Sequence, residues 1–297
     1  MKTFTSHFEF IPEIKQYADI IRSSKSIHTQ SGYFSSIDRF LSFLEVSSFD
    51  DIRKIKIDQC EDFKLNLINS GLQEKSVNTH LRNLKAFFTY LVDHNKIFES
   101  PLNVVPLMKE PKKKRSIFSK EEMGKILGVC DTVEEQLMFL LLINLGPRRS
   151  ELVNLKISNI VFLDDCVQIG IFGKGEKFRN VFLYSKKAIE ILKQHLNSKT
   201  SKSDYLFESN HNKPYATETI RVRIKNWMKI AGIDEERIKL LTPHSCRRTT
   251  AITLLDEGVD AYAVKGVLGH ESLNTTLLYL QHTDKTTQNA MKNISFG

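Results

Sequence analysis

No helix or strand can run uninterrupted from residue 100 to residue 122, where the chain reads SPLNVVPLMKEPKKKRSIFSKEE. Pro101, Pro106 and Pro111 each lack an amide donor and restrict the residue before them, and the basic run Lys112, Lys113, Lys114, Arg115 follows at once. The stretch therefore divides the chain. A helical domain is expected over residues 1–108, a basic linker over 109–118 and a second domain over 119–297. Ser119 followed by Glu122 forms a capping box that starts the first helix of the second domain. At 297 residues, 41% of them hydrophobic, the chain has material for two cores.

The basic run has several readings: a solvated tether, a nuclear signal, or a strap along DNA. Residues 1–110 balance 14 Lys and Arg against 14 Asp and Glu, while the remainder carries 29 against 21. The whole excess of the +8 net charge thus lies after residue 110. Nucleic acid is the commonest partner of such a region, because each neutralised phosphate releases counterions, although many basic proteins bind none.

Helical periodicity runs through the first domain. Tyr33, Ile37, Phe40, Leu41 and Leu44 share one face, as do Val77, Leu81, Leu84, Phe88 and Leu91, with Ser76 as the expected N-cap of the second helix. His80, Arg82 and Lys85 fall on its other side, where they could meet phosphates or merely solvent. The second domain is mixed. Helices are expected over about 119–155, then an antiparallel three-stranded meander in ISNIVFLDDCVQIGIFGKGEKFRNVFLY, with turns at Asp164-Asp165 and Gly173 to Glu176. Helices follow at about 185–198 and 216–231. The fold class is mainly α with a small antiparallel sheet, α+β.

Other classes of protein find no support. Cys60, Cys130, Cys166 and Cys246 are scattered without CxxC spacing and read as free thiols, and the nine histidines show no zinc-like pairing, so no metal or cofactor is expected. No apolar run approaches the roughly 20 residues of a bilayer span, and MKTFTSHFEF lacks a signal-peptide pattern, which gives a cytoplasmic reading with no membrane partner.

Chemistry-bearing residues gather at three kinds of turn and cap. In TPHSCRRT, Thr242 at the N-cap and Pro243 at the first helical position start a helix expected to reach Glu257, with Gly258 at its end. His244 and Arg247 are then i and i+3 neighbours near the positive helix end, which attracts anions. Asp260 caps a short helix ending at Gly269, His270 follows, and Ser272 or Asn274 caps a third helix that carries Tyr279. In GPRRSEL, Glu151 stands three residues after Arg148, placed to hold a guanidinium. In GKGEKFR, the glycines bring Lys174 to the tip of a hairpin, but GxxxxGK[ST] is not satisfied. Each feature alone has a plain structural reading.

Together, and in this order, they resemble the tyrosine recombinase (phage-integrase-like) family, in its compact two-domain Xer-like or transposon-resolvase form. GPRRSEL matches GLRxSEL, GKGEKFR matches GKGxKxR, TPHSCRRT matches TPHxLRHT, and LGHESLNTTLLYL matches LGHxxxxTTxxY. Pro147, Cys246 and Arg248 depart from the pattern, and Pro147 bears on how Arg148 is presented. The resemblance covers the second domain and extends to the first through the two-domain layout. It implies a site-specific recombinase that cuts and rejoins duplex DNA through a 3′-phosphotyrosine and exchanges strands through a Holliday junction.

The resemblance assigns Tyr279 as nucleophile, Arg148, Arg247 and His270 as donors to the pentacoordinate phosphorus, Lys174 as general acid, His244 as an aid to proton transfer and Glu151 as support. It implies double-stranded DNA with specific sites as partner, a homotetramer on that DNA, alone or with a second recombinase or accessory protein, and a nucleoid-associated place in the cytoplasm. Lys112 to Arg115, His80, Arg82, Lys85, Lys177, Arg179 and Arg248 are the candidate DNA contacts. Ala290, Met291, Ile294 and Phe296 form a small apolar set that would dock on a neighbour or fold back. The early start of the first domain leads us to expect no arm-site-binding domain. Rival readings are a non-catalytic DNA-binding protein on the same scaffold and a type IB topoisomerase. A metal-dependent nuclease would need clustered carboxylates, and Asp164-Asp165 is the only adjacent Asp pair in the second domain.

Overall fold

The computed structural model describes residues 5–111, 116–173, 178–209 and 212–280. The chain divides into two compact units, Met1–Lys113 and Lys114–Gly297.

The first unit holds α1 (Pro12–Ser24), α2 (Ile27–Phe43), α3 (Phe49–Arg53), α4 (Ile57–Asn69) and α5 (Glu74–Asp93). The 3.6-residue spacing of Ile37, Phe40 and Leu41 on α2 and of Val77, Leu81, Leu84, Phe88 and Leu91 on α5 buries both stripes in one core. Phe40 meets Phe63 and Phe88 edge to face, at centroid distances of 4.9 and 5.9 Å, so the aromatic content of this unit fills its centre. Helix α5 does not start at Ser76. The amides of Ser76 and Val77 already bond the carbonyl of Gln73, the true N-cap, and Glu74 places a carboxylate at the positive end two residues earlier.

The proline-bearing segment after α5 belongs to this unit. Leu102 and Val105 are core residues, and Asn78 clamps the chain at Met108, accepting from its N–H (2.8 Å) and donating to its carbonyl (2.9 Å) and to Glu110 (2.8 Å). The polar side of α5 serves the same strap: Lys85 donates to the Val105 carbonyl and Arg82 pairs with Glu110. His80 bonds Ser36 Oγ on α2 at 3.0 Å, and burial pushes its pKa down, with Arg39 adding. These three candidate DNA contacts are thus engaged inside the unit.

The second unit begins with α6 (Lys120–Gly128), α7 (Val133–Leu145) and α8 (Arg149–Val153), where helix was expected. Ser119 and Glu122 form the expected capping box, with Ser119 Oγ accepting from the Glu122 amide at 3.1 Å and Glu122 accepting from the Ser119 amide at 2.7 Å. Every residue of α7 from Leu137 to Leu142 is buried, as befits a helix apolar all round, and α6, α8 and α9 (Lys186–Ser198) pack about it. β1 (Ile160–Phe162), β2 (Val167–Phe172) and β3 (Phe178–Leu183) form the expected antiparallel meander in the order β1-β2-β3. Ile169 pairs with Val181 and Val167 with Leu183, so alternate residues face the core.

The chain continues through α10 (Thr217–Ile230), α11 (Glu235–Leu240), α12 (Pro243–Asp256), α13 (Ala261–Leu268) and α14 (Leu273–Leu280). The one-and-a-half-turn α11 was not anticipated; its signal is Asp234, whose carboxylate accepts from the amides of Glu236 and Arg237. Asp260 caps α13 as expected, and Ser272 rather than Asn274 caps α14, accepting from the Asn274 amide at 3.2 Å. α12 and α13 share a small core of Ala251, Ile252, Leu255, Val264 and Leu268. All four cysteines are free and buried.

Candidate active site

The site is assembled from ends of elements. Helix α7 stops because Gly146 adopts a left-handed backbone (φ 59°), and an added Cβ there would lie 2.8 Å from Leu268 and 3.1 Å from Thr250. Pro147 follows, and Arg148 becomes the N-cap of α8, its amide donating to Glu151 Oε2 at 2.8 Å. The departure at Pro147 therefore leaves Arg148 in a regular cap. α13 ends the same way at Gly269 (φ 66°), and His270 comes next.

Both arginines of the family motifs rest on carbonyls at these helix ends. Arg247, 1% exposed on α12, donates through Nη1 to the Gly146 carbonyl (2.8 Å) and through Nη2 to the Leu268 carbonyl. Arg148 donates through Nη2 to the Gly269 carbonyl at 2.9 Å. The negative C-terminal poles of α7 and α13 thus hold two buried or half-buried cations.

Glu151 is the anionic centre. It is 3% exposed and accepts from Arg148 Nη1 (2.6 Å) and from Nη1 and Nη2 of Arg179 (3.2 and 2.8 Å), with Arg247 Nη1 3.8 Å away. Burial by itself would raise its carboxyl, but the hydrogen bonds from Arg179 and Arg148 outweigh that and hold it below the usual carboxylate range. Three guanidiniums converge on one carboxylate, so the locus keeps an excess of positive charge with fixed donor directions. Such a concentration of cationic donors attracts anions.

Arg179 is the residue whose place the sequence did not disclose. Expected among the DNA contacts, it turns inward from β3, its Nε donating to the Val267 carbonyl at 2.9 Å and its fork gripping Glu151. It shares one face of β3 with Val181 and Leu183, which point into the core. Arg248 donates to the Ser116 carbonyl at 2.9 Å, and Thr249 Oγ1 accepts from the Phe118 amide at 2.9 Å, which ties the start of the unit to α12. Cys246, where the family has leucine, is fully buried in the main core, and burial pushes its thiol up to about 12, so it packs as an apolar side chain.

His244 is exposed at the second position of α12. His270 is 6% exposed, and its Nδ1 lies 2.8 Å from the hydroxyl of Thr276, which is fully buried. Burial first, then the charges of Arg247, Arg148, His244 and Arg179, push the His270 pKa down to about 4. The imidazole is therefore neutral near pH 7. An open cavity of about 410 Å³ is bordered by Arg148, Arg179 and His270, with Phe178, Tyr262, Lys265 and Glu271 among its other lining residues. Lys265 escaped the sequence reading, since a lone lysine in a short helix carries no pattern.

Tyr279 lies on α14, within three turns of His270 along the chain. Lys174, Lys177, the run Lys112 to Arg115 and the tail with Ala290, Met291, Ile294 and Phe296 lie outside the described residues. Among the described residues no helix is long and apolar enough to cross a membrane.

Comparison with known proteins agrees with this architecture. The phage integrase family model matches residues 116–286, and the phage integrase N-terminal SAM-like domain matches residues 14–95. The tyrosine recombinase XerA of Pyrococcus horikoshii is 30% identical over 236 residues, 77% of each chain. The tyrosine recombinase XerD of Staphylococcus saprophyticus is 29% identical over 299 residues, covering 94% of this chain and 97% of its own. Among solved structures, the XerH site-specific recombinase bound to a palindromic difH substrate, in a post-cleavage complex, shares the fold with a TM-score of 0.74 at 20% identity, covering 94% of this chain and 83% of that one. A lambda integrase dimer bound to a COC′ core site gives 0.73 at 16% identity, covering 92% and 96%.

The chain belongs to the phage integrase family. It is a tyrosine-type site-specific recombinase, an enzyme that works on DNA through a tyrosine intermediate.

Proposed function

We propose that Tyr279 is the nucleophile and that Arg148, Arg247 and His270 stabilise the phosphorus it attacks. The phenol oxygen forms a bond to the scissile phosphorus as the bond to the 5′ oxygen breaks, leaving a 3′-phosphotyrosine and a 5′ hydroxyl. The phosphodiester's energy is kept in the protein-DNA bond, so no nucleotide cofactor is consumed. A 5′ hydroxyl from the partner site then attacks the phosphotyrosine, frees Tyr279 and joins exchanged strands. Charge gathers on the non-bridging oxygens in each transition state, and guanidiniums with preset donor directions meet it without reorganising. Lys174 supplies the proton to the departing 5′ oxygen, His244 handles the tyrosine proton, and Glu151 holds the arginines in register.

The observation that carries this reading is the shared carboxylate: Arg148 and Arg247, from separate helices, flank Glu151 and rest on the carbonyl ends of α7 and α13 beside His270. The substrate is duplex DNA with specific sites, handled in the cytoplasm by a tetramer of this chain that passes through a Holliday junction. The candidate contacts Lys112 to Arg115 and Lys177 reinforce the binding through phosphates.

The test uses duplex selected by the protein from a random-sequence pool and then nicked near the centre of the selected site. Wild-type protein should form an adduct that survives denaturing electrophoresis, and Tyr279→Phe should bind with unchanged affinity and form none. Adduct formation by Tyr279→Phe ends the assignment. A chain that binds yet never becomes covalently attached is an architectural protein, and relaxation of a plasmid lacking any selected site marks a topoisomerase.

A further inference from the structure

We propose that Thr276 is a positioning residue: its buried hydroxyl donates to Nδ1 of His270, keeps the imidazole proton on Nε2, and couples the orientation of that ring to the helix that carries Tyr279. The inference rests on the catalytic reading above and adds to it a proton position and a mechanical link.

The geometry is that of an enclosed pair. Thr276 is 0% exposed and His270 6%, and the Oγ1 to Nδ1 distance is 2.8 Å. A hydroxyl has one hydrogen to give, and giving none in a buried setting costs more than a poor bond. Among the described residues the ring nitrogen of His270 is the partner that this hydroxyl has. The hydroxyl therefore donates, Nδ1 accepts, and the single proton of the neutral ring resides on Nε2. That Nε2–H is what a donor to a phosphate oxygen requires. With the proton on Nδ1 instead, Nε2 would offer a lone pair to an anion and repel it. The lowered pKa of His270 makes the choice of tautomer matter, since a doubly protonated ring would donate from either side.

The mechanical part follows from chain position. Thr276 and Tyr279 are three residues apart on α14, a helix of 8 residues packed on α12 and α13. A hydrogen bond from Thr276 to the ring that follows Gly269 therefore fixes the backbone of α14 against the end of α13. Donor ring and nucleophile helix are set by one contact across a six-residue loop closure.

The experiment reads the proton directly. Full-length protein labelled with 15N-histidine, with His270 assigned through His270→Asn, reports the tautomer near pH 7 from its two-bond nitrogen-proton couplings. Nε2–H is expected in the wild type and in Thr276→Ser, and a shift toward Nδ1–H in Thr276→Val, which has the same shape and no hydroxyl. On the selected nicked duplex, Thr276→Val should form adduct about tenfold more slowly or worse with DNA affinity unchanged, the loss of one hydrogen bond at the reacting centre. Thr276→Ser should restore the rate to within about threefold. Nδ1–H in the wild type overturns the inference, and so does full cleavage by Thr276→Val with an altered tautomer. The tautomer measurement requires no DNA, so it judges Thr276 even if wild-type protein forms no adduct, an outcome that would overturn the nucleophile assignment alone.

Discussion

His270 shows how one residue's surroundings set a measurable property of the whole chain. Its folded pKa of about 4 lies below the usual histidine value of about 6.5, so between these pH values the unfolded chain binds a proton that the folded chain refuses. The ring's contribution to stability should be constant above about pH 6.5 and fall as pH drops from there toward about 4, by up to roughly 3 kcal/mol at about 1.4 kcal/mol per unit. Chemical denaturation at several pH values tests this, and His270→Asn should flatten that part of the profile; an unchanged slope would show that the ring is not buried neutral. Glu151 shifts in the same acidic direction, since its depressed carboxyl contributes stability that is lost only as pH falls through its lowered folded value. At this scale motif order singled out the candidate residues along the sequence. Their partners lay hidden: nothing local distinguishes Arg179, which reaches Glu151 across 28 residues, from Lys177 two places earlier. Thr276 stands in the TT of the last motif, but nothing in that spacing tells that its hydroxyl meets His270.

Element ends, more than element middles, build the site. Gly269 and Gly258 both take a left-handed backbone, at φ 66° and 84°, but they differ in what surrounds them. A Cβ on Gly258 meets nothing within 4 Å, whereas one on Gly269 would lie 2.8 Å from Arg179 Nη1 and 3.1 Å from its Cζ. Gly258→Ala should cost about 1 kcal/mol of strain alone. Gly269→Ala should cost at least twice that, about 2 kcal/mol or more, because the guanidinium must move off the Val267 carbonyl. Denaturant unfolding of the two variants separates the effects, and equal losses would mean that Arg179 yields freely. Caps were the most legible elements: Ser119 with Glu122, Thr242 with Pro243, and Asp260 all announce themselves, since capping is a short-range side-chain-to-backbone bond. The start of α5 was misplaced for the same reason in reverse. Ser76 looked like a cap, but the first turn formed around Gln73, where no capping side chain marks the spot.

Over the whole molecule, the two units keep separate cores. Among the described residues, the first core draws nothing from beyond Met108 and the second nothing from before Ile117. Residues 1–111 expressed alone should therefore melt cooperatively with a helical circular dichroism spectrum, because Asn78, Arg82 and Lys85 anchor the strap after α5 within that fragment. A broad, non-cooperative melt would show that the second unit completes the first. The proline-rich stretch was legible as a break in regular structure, yet its first half is a packed strap rather than a free tether. Burial of Leu102 and Val105 decides that, and two apolar residues among prolines look the same whether they are docked or solvated.

By itself the sequence determined the division into a helical and a mixed unit, the meander, the principal caps and the order of the family motifs. Each of these rests on periodicity, on short-range bonds or on residue types at fixed spacing, and all three are written along the chain. Tertiary structure alone decided that Glu151 binds Arg179 as well as Arg148, that Arg247 is held by the ends of α7 and α13, and that Thr276 faces His270. Those contacts join residues up to about a hundred positions apart, and those of Arg247 run to carbonyls that every residue possesses, so only packing selects which of them meet.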